Sequence, residues 1–416
     1  MVGLQCVVCD RMYPARRDPG GVRTCPRCGE AGILDVQYDY RAVGRRLTRR
    51  AMAARADQSQ WRYREVLPVG AASLVPSLAV GGTPLSAAPV LARHLGIGEL
   101  LVKDEGRNAT GSLKDRASAL GVVKAREARR TIIACASTGN AASSCAGMAA
   151  SMGLRSVIFV PANAPEPKIA QLLIFGATVL RVRGGYEQAY RLCQQACERW
   201  GWYNRNAALN PYLVEGKKTA GWEIAEQMGW DAPDWVAVPV GDGCTIAGVW
   251  KAFRECQTLG LIGRLPRMLG VQPAGAASLT EAFFNGEPPR AVEPNTVADS
   301  IAVSAPRNWQ KALRAVSESG GAMLTVEDAE IAGAMRDAGR MAGIFAEPAA
   351  AAAIAGLRRA AAEGLVGKRA RAVAIVTGNG LKNFRAARAA AGEPFEIAAD
   401  GDGIEEVLRR REVLKA

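Results

Sequence analysis

One lysine, Lys114, follows a run of small, flexible and hydroxylated residues in NATGSLKDR (108–116). The pattern predicts that Lys114 lies in the first turn of a helix. A lysine there can be an ordinary surface charge, or it can be a buried amine that bonds covalently to a cofactor. The residues that surround it in the fold must decide between these two interpretations.

Four cysteines near the N-terminus have the spacing of a metal site. Two Cys-x-x-Cys pairs, CVVC at 6–9 and CPRC at 25–28, are separated by 15 residues. Each pair forms a turn that directs two thiolates onto one tetrahedral ion, and the pattern predicts a structural zinc ion. Its ligands are Cys6, Cys9, Cys25 and Cys28. A closed four-thiolate site leaves no open position for chemistry, so we expect a structural cap.

The single histidine of the chain, His94, excludes several mechanisms. A Ser-His-Asp triad, a Cys-His dyad or a multi-histidine zinc centre would each depend on this residue. It lies in a helix-like segment that ends in glycine, and we interpret it as structural. Acid–base chemistry then falls to a lysine, a carboxylate, a tyrosine or a cofactor.

Three loops have the composition of ligand-binding turns. ASTGN (136–140) opens a helix whose free N–H groups suit a carboxylate. VGDGCTIAG (240–248) has glycines that let N–H groups converge on a phosphate, although it matches neither the P-loop nor the dinucleotide fingerprint. TGNGLKN (377–383) carries Thr377 at the end of a predicted strand. With the lysine, these are the parts needed to hold pyridoxal phosphate and an amino acid.

A βα rhythm from about residue 79 onward positions these loops. Six apolar runs have the pattern of buried strands that end in glycine, serine, threonine or proline, and helices follow most of them. These runs are 131–138, 155–162, 177–184, 234–241, 266–273 and 371–380. The pattern predicts an α/β fold of parallel-rich sheets flanked by helices, with ligands at the carboxyl ends of the strands.

Length and composition narrow the class of protein. The 416 residues are enough for two or three compact units, and 49% hydrophobic with 22% charged residues are typical of a globular protein. The net charge of +13 is scattered along predicted helices, which favours solvated helix faces over a nucleic-acid surface. We see no apolar run of membrane-span length and no signal-peptide pattern, so we expect a cytoplasmic protein without a membrane partner.

The motifs and their order resemble those of the threonine synthases, a family of pyridoxal-phosphate enzymes of the tryptophan-synthase-β type. The resemblance covers about residues 65–390. It runs from GGTPL (81–85) through VKDEGRNATGSLKDR, ACASTGNAA, KIAQLLIFGATVLRVRGGYEQA, NPYLVEGKKTAGWEIAEQ and IFAEPAAAAAIAGL to TGNGLKN. Such enzymes have two α/β subdomains with pyridoxal phosphate in the cleft between them.

Domain bounds follow from this resemblance and the composition. We expect a zinc-ribbon-like segment at 1–40, a helical connector at 41–78, a catalytic domain at 79–395 and a helical tail at 396–416. The smaller subdomain, about 116–205, is inserted in the larger one.

The resemblance also implies a role for individual residues. Lys114 forms the Schiff base with the cofactor and later moves protons, and Asn140 hydrogen-bonds the ring oxygen. Thr377 faces the pyridine nitrogen. The substrate carboxylate is held by Ser137, Thr138 and Gly139, and the cofactor phosphate by Gly241, Asp242, Gly243, Cys244 and Thr245. A helix N-terminus and the neighbouring Arg116 are expected to lower the pKa of Lys114.

Three single positions depart from the family's pattern, and the loop GDGCT (241–245) replaces the commoner asparagine-containing phosphate loop. NAALNPYLVEG (206–216) has Ala208 and Leu213 where the family has a serine and an arginine that bind the phosphate of O-phosphohomoserine. Asn379 stands where the family usually has histidine. Candidates to supply the missing positive charge are Lys168, Lys217, Lys218 and Arg307, and of these we place Lys168 among the substrate-binding residues.

The leading hypothesis is a threonine synthase, a homodimer like the enzymes it resembles, which converts O-phosphohomoserine and water into threonine and phosphate. An alternative within the family is β-replacement or β-elimination on serine, O-phosphoserine or a related amino acid, as in cysteate synthases and ammonia-lyases. A different class, a zinc-ribbon nucleic-acid-binding protein, is motivated by the cysteine pairs and the net charge. It predicts salt-dependent nucleic-acid affinity, whereas the leading hypothesis predicts none.

Overall fold

Thirteen strands and fifteen α-helices are formed by the residues that the computed structural model describes, which are all except 15–23, 163, 165, 398, 402, 412 and 414–416. The strands are β1 (Gly3–Cys6), β2 (Met12–Pro14), β3 (Leu34–Gln37), β4 (Leu85–Ala87), β5 (Glu99–Asp104), β6 (Ile132–Ala136), β7 (Arg155–Pro161), β8 (Thr178–Val182), β9 (Tyr203–Asn204), β10 (Trp235–Pro239), β11 (Arg267–Pro273), β12 (Ala322–Val326) and β13 (Arg371–Val376).

The helices alternate with the strands over most of the chain. They are α1 (Tyr40–Gly44), α2 (Arg49–Ala53), α3 (Pro89–Leu95), α4 (Lys114–Glu127), α5 (Asn140–Ser151), α6 (Glu166–Ile174), α7 (Tyr186–Trp200), α8 (Tyr212–Gln227), α9 (Cys244–Thr258), α10 (Ser278–Asn285), α11 (Trp309–Glu318), α12 (Asp328–Ala342), α13 (Pro348–Ala362), α14 (Phe384–Ala391) and α15 (Ile404–Arg410). No helix in the described part of the chain combines the length and the apolar character needed to span a bilayer.

Three sheets divide the strands. The largest has the order β12-β11-β10-β13-β5-β4 and is parallel except for β4, which runs antiparallel to β5. The second is wholly parallel, with the order β8-β7-β6-β9. A small antiparallel sheet, β2-β1-β3, contains the N-terminal segment. The predicted α/β class with parallel-rich sheets is confirmed.

All six predicted strands form, as β6, β7, β8, β10, β11 and β13. The sequence analysis did not predict β4, β5, β9 and β12, which complete the edges and the centre of the two larger sheets. The expected connector at 41–78 contains α1, α2 and a 3-10 segment, Gln60–Val66, and the expected tail at 396–416 contains α15 and lies partly outside the described residues. The domain bounds remain a prediction.

A buried network of ion pairs joins the start of α4 to the large sheet and to α8. The guanidinium of Arg116 donates to both carboxylate oxygens of Glu105, at 2.6 and 2.7 Å, and to both of Glu223, at 2.7 Å each. Lys103 on β5 donates to Glu223 at 2.7 Å. All four side chains are almost completely buried, so the two cations and two anions balance each other away from water.

The backbones of α4 and α8 approach closely enough to seal this network. A Cβ on Gly216 of α8 would lie 2.1 Å from the carbonyl oxygen of Arg116, which is a steric clash. Only a glycine therefore fits at this position. Thr219, one turn further along α8, accepts a hydrogen bond from Arg116 at 2.9 Å. The first turn of α4, which carries Lys114, is therefore held against α8 by both packing and charge.

Substitution Arg116→Leu should lower the free energy of unfolding by about 3–5 kcal/mol, because it leaves two carboxylates buried without their main partner. The measurement is urea denaturation, with Arg290→Leu as a control because the Arg290 side chain is 83% exposed and pairs only at the surface with Glu287. Equal denaturation midpoints for the two variants would contradict the structural role of this network.

Candidate active site

A cavity of about 300 Å³ lies where the carboxyl ends of the two parallel sheets face each other. The loops that follow β6, β10 and β13 line it, and so does the first turn of α4. This is the position that parallel α/β sheets provide for ligands, because the loops at that edge converge.

The structure brings every predicted cofactor- and substrate-binding residue to this cavity. They are Lys114, Ser137, Thr138, Gly139, Asn140, Lys168, Gly241, Asp242, Gly243, Cys244, Thr245 and Thr377. Two further candidates, Lys217 and Arg307, also line it. The individual roles of these residues remain predictions.

Lys114 begins α4 and is held beside Thr377. The backbone N–H of Leu113 donates to the carbonyl oxygen of Thr377 at 2.9 Å, and Ser112 forms an isolated bridge with Gly378. Burial lowers the pKa of the Lys114 ammonium to about 8, and the positive charges of Lys217 and Arg205 add to this effect. A substantial fraction of the amine is therefore neutral, and nucleophilic, at mildly alkaline pH.

The predicted influence of Arg116 on Lys114 is wrong. The guanidinium of Arg116 is fully engaged with Glu105 and Glu223, so its charge is compensated inside the protein. The cations that act on Lys114 come instead from α8 and from the turn after β9. Residues two positions apart in a helix do not face each other, which is why adjacency in sequence was misleading.

Two helix N-termini open into the cavity. Helix α5 begins at Asn140 after Ser137–Gly139, and the Ser137 hydroxyl accepts a hydrogen bond from the N–H of Gly139 at 3.1 Å. Helix α9 begins at Cys244, directly after Gly243, whose φ of 85° disfavours any residue with a side chain. A Cβ on Gly243 would also lie 2.5 Å from the Cβ of Ala312. Each terminus offers free N–H groups to an anion.

Glu347 is a buried carboxylate in the cavity wall whose role the sequence analysis did not consider. Asn140 donates to both of its oxygens, at 2.8 and 3.0 Å. Burial raises the pKa of Glu347 to about 7 although the bond from Asn140 lowers it. A Cβ on Gly378 would lie 2.2 Å from Oε1 of Glu347, so the glycine makes room for this carboxylate. The signal was a single charged residue ahead of the alanine-rich run that forms α13.

Two ion pairs cross the mouth of the cavity. Lys168 on α6 pairs with Asp299, and Arg307 pairs with Glu187 of α7 at 3.1 Å while its guanidinium lies 4.0 Å from the centre of the Tyr190 ring. Both pairs join the side of the four-stranded sheet to loops of the larger sheet. These two candidate phosphate ligands are therefore already paired with carboxylates.

Lys218 does not reach the cavity. It pairs with Glu215 at 2.6 Å and with Glu255 at 2.7 Å, in a completely buried cluster between α8 and α9. Lys218 is thereby removed from the predicted candidates for a substrate ligand.

The three positions that depart from the family's pattern lie outside the cavity lining. Leu213 is completely buried against α4, and Ala208 is buried with a φ of 71°, in the left-handed region. The side chain of Asn379 accepts the N–H of Leu381 at 3.0 Å, and its own N–H donates to Gly111. Asn379 thus shapes the turn that holds Thr377.

The four N-terminal cysteines come together as predicted. Their sulfur atoms lie within 4.8 Å of one another, which fits one tetrahedral ion. A Cβ on Gly32 would lie 2.6 Å from the Cβ of Cys25 and 2.7 Å from that of Cys28, so a glycine is needed for the sheet to close over the thiols. Zinc itself remains a prediction.

The cysteine segment is attached to the catalytic core through the carboxylate of Asp35 and through backbone carbonyl groups that accept hydrogen bonds from core side chains. Asp35 on β3 pairs with Lys251 at 2.9 Å and with Lys311 at 2.8 Å, and these two lysines hold the pKa of Asp35 well below its usual range. Lys251 also pairs with Glu215 of α8 at 2.7 Å. The segment therefore contacts α8 and α9, the helices that also carry the cavity residues Lys217, Cys244 and Thr245.

Comparison with known proteins identifies the family. Residues 76–378 match the family described as pyridoxal-phosphate dependent enzyme. The threonine synthase of Methanocaldococcus jannaschii is 38% identical over 412 residues, which cover 97% of this chain and 99% of that one. The chain belongs to the threonine synthase family of pyridoxal-phosphate enzymes. The threonine synthase of Methanosarcina acetivorans is also 38% identical, over 98% of this chain and 99% of its own.

A solved structure extends this similarity to the fold. The processed form of threonine deaminase isoform 2 from Solanum lycopersicum superposes with a TM-score of 0.64 at 25% identity, covering 75% of this chain and 88% of that one. The protein is a pyridoxal-phosphate-dependent enzyme, as the sequence analysis predicted. Family membership favours this interpretation over the nucleic-acid-binding alternative.

The residues around the cavity fit pyridoxal phosphate. Lys114 supplies an amine for the aldehyde, and the α9 terminus has the glycine-lined cradle that a phosphate needs. Asn140 and Thr377 add an amide and a hydroxyl group to the lining of the cavity. No other lysine begins a helix at this cavity in the described residues.

The rate at which the cofactor-free protein captures pyridoxal phosphate should rise with pH, with a midpoint near 8, because only the neutral amine of Lys114 attacks. Absorbance of the bound cofactor follows the reaction, and Lys114→Ala serves as the blank. A midpoint at the ordinary lysine value of 10.5 would show that the cavity does not depress this pKa.

Removal of the metal should affect the cysteine segment and spare the cofactor site. Cys25→Ser is expected to reduce bound zinc, measured by elemental analysis, and to lower the thermal midpoint, because four-thiolate sites contribute folding energy. The cofactor absorbance should stay unchanged, since Cys25 is not among the cavity residues. Cys256→Ser, which changes a buried cysteine outside the cluster, controls for the substitution itself. A variant that kept its zinc would rule out the predicted ligand set.

Proposed function

We propose that this protein is a threonine synthase that converts O-phosphohomoserine and water into threonine and inorganic phosphate. The observation that supports this proposal best is the arrangement of one cavity: the amine of Lys114, whose pKa burial lowers to about 8, is accompanied by two helix N-termini that suit two anionic groups. Similarity to archaeal threonine synthases over nearly the full length of both chains supports the same reaction.

Each terminus is assigned to one anion. Gly241–Thr245 at the start of α9 hold the phosphate of the cofactor, and Ser137–Gly139 at the start of α5 hold the carboxylate of the substrate. This division places the α-carbon of the substrate near Lys114. Asn140 remains tied to Glu347, so that its amide is oriented before any ligand arrives.

Bound pyridoxal phosphate supplies an electron sink for the bonds at the α-carbon of the amino acid. Lys114 would take the proton from Cα of the substrate and move protons at the neighbouring carbons. Its depressed pKa matches this task, because an amine near pH 8 both accepts and returns a proton. The hydroxyl of Thr377 would face the pyridine nitrogen of the cofactor and would add no charge there.

The same site can support a second reaction. Leu213 is buried against α4 and cannot offer the arginine contact to a substrate phosphate that the family's pattern would place there. That observation favours β-elimination or β-replacement on serine or O-phosphoserine as the alternative. The two reactions differ in the carbon that loses its substituent, so their products distinguish them.

We also propose two further properties. The geometry of the four thiols supports a structural zinc ion. The resemblance to known threonine synthases supports a homodimer of this chain.

The assay supplies the cofactor-loaded protein with O-phosphohomoserine and measures phosphate and threonine together. Equal amounts of both products are expected, and Lys114→Ala should lower the rate by about 10²-fold or more because the proton acceptor is lost. Serine and O-phosphoserine are run in parallel. Release of ammonia and a keto acid from either of these, with no threonine from O-phosphohomoserine, would establish the alternative reaction.

A further inference from the structure

Two buried cations face the cavity without a carboxylate partner in the described residues. Arg205, in the turn after β9, is 1% exposed, and Lys217, on α8, is 2% exposed. Neither forms an ion pair within the described ranges, whereas Lys168 and Arg307 at the cavity mouth both do. A buried charge is energetically costly unless an opposite charge compensates it. We therefore expect an anion to bind near Arg205 and Lys217.

The guanidinium of Arg205 is hydrogen-bonded through Nε, whereas its Nη2 has no partner among the described residues. Its Nε donates to the hydroxyl of Ser118 at 2.9 Å, and the thiol of Cys135 is its second neighbour. Its Nη2 is buried and has no hydrogen-bond partner among the described residues. A guanidinium nitrogen without a partner, on a residue that lines a cavity, can donate a hydrogen bond to a ligand in that cavity.

Lys217 adds a second positive charge to the cavity lining. Its polar neighbour is the thiol of Cys244, and burial lowers its pKa. The next residue, Lys218, is paired with two glutamates on the other side of α8. Only Lys217 of the two therefore directs its charge into the cavity.

Arg205 occupies the neighbourhood of Leu213, the position where the family's pattern has arginine. The point where a Cβ of Gly121 would stand lies 3.2 Å from Cδ2 of Leu213 and 3.9 Å from Cγ of Arg205. The two side chains thus pack against the same spot on α4. A guanidinium that comes from the turn after β9 replaces one that would come from α8.

We propose that Arg205, with Lys217 beside it, binds the phosphate group of the substrate and replaces the arginine that the family's pattern places at position 213. The proposal rests on the proposed function, and it assigns the substrate class as a phosphate ester of a small amino acid. A guanidinium and an ammonium in the lining of one cavity match the charge of a phosphate dianion.

The other anion-binding groups of the cavity are assigned elsewhere. The α5 terminus suits the carboxylate, and the α9 terminus suits the cofactor phosphate. Asp242 is the lining carboxylate that acts on Lys217, and its own side chain accepts the backbone N–H of Arg307 at 3.3 Å. Lys217 contacts Cys244, the first residue of α9, which belongs to the predicted site for the cofactor phosphate. The cofactor phosphate is therefore the alternative anion that Arg205 and Lys217 could bind.

The test compares two ligands that differ only in the phosphate. O-Phosphohomoserine and homoserine are each titrated into the cofactor-loaded protein, with the cofactor absorbance as the readout, and inorganic phosphate is titrated by calorimetry. The variants are Arg205→Leu, Lys217→Met and the exchange Arg205→Leu/Leu213→Arg. Arg254→Met is the matched control, since Arg254 lies on α9 but half exposed at the protein surface.

Each single variant should weaken O-phosphohomoserine and inorganic phosphate about 10- to 100-fold and leave homoserine unchanged, because only the contact with the phosphate is lost. The exchange variant should recover most of the affinity that Arg205→Leu loses. It also keeps the proposal testable if the single arginine variant fails to fold, because the exchange conserves charge and the summed side-chain volume.

Affinity for pyridoxal phosphate, measured on the cofactor-free variants, separates the two phosphates. An unchanged cofactor affinity supports the proposal, and a parallel loss of cofactor affinity overturns it in favour of the cofactor phosphate. Equal weakening of homoserine and O-phosphohomoserine also overturns it, since that result means a general positioning role. No change in any affinity overturns it as well.

Failure of the proposed function gives a different result. If the wild-type protein makes no threonine but still binds inorganic phosphate in a way that depends on Arg205 and Lys217, the phosphate subsite stands and the reaction is another one. If the wild-type protein binds neither phosphate nor O-phosphohomoserine, the subsite is wrong.

Discussion

The buried ion network of Lys103, Glu105, Arg116 and Glu223 is the constraint on which the rest of the active site depends. Four charges are removed from water together, and each is tolerable only while its partners stay in place. They come from β5, the segment after it, α4 and α8. The network therefore defines where α4 begins relative to the large sheet, and with it the position of Lys114.

Charge compensation distinguishes two groups of buried cations in this protein. Arg116 and Lys218 are both matched by buried glutamates, and both lie outside the cavity. Burial and then the charges of Lys217 and Arg205 lower the pKa of Lys114, and burial and the charge of Arg205 lower the pKa of Lys217. Lys114, Arg205 and Lys217 form no ion pair among the described residues. The protein thus holds a cluster of like charges at the cavity, which is the arrangement expected of a site for anionic ligands.

Alternation along α8 shows how one helix serves both purposes. Glu215, Lys218 and Glu223 point into buried clusters that attach α9, α4 and the cysteine segment. Lys217 faces the cavity because neighbouring residues on a helix differ by about 100° in direction. Gly216 lets α8 approach α4 closely, and Gly221 lets it approach α9. This close packing keeps water away from the buried charges.

Much of this arrangement was accessible from the sequence. The apolar runs that end in polar loops identified six strands and the edge of the sheet where ligands bind, and the motif order identified Lys114 and the helix termini. The strands β5 and β12 were missed because they contain charged or mixed residues that only sheet pairing explains. Arg205 and Glu347 were missed because their roles depend on residues that are distant in sequence. Arg205 has no carboxylate partner among the described residues, and Glu347 accepts hydrogen bonds from Asn140. A local sequence pattern shows neither of these facts.

The error about Arg116 has the same origin. A cation two residues from Lys114 looked like a neighbour, but three-dimensional packing directed it to Glu105 and Glu223 instead. Sequence spacing predicts the face of a helix, and it does not predict which distant carboxylate meets that face.

The central claim is that the network places Lys114, and no other lysine, to bond the cofactor. Reduction of the cofactor-loaded protein with borohydride makes this bond permanent, and peptide mass spectrometry then locates the modified lysine. The account predicts the pyridoxyl group on Lys114 alone. A pyridoxyl group on Lys217, the other buried lysine of the cavity with a lowered pKa, would contradict it.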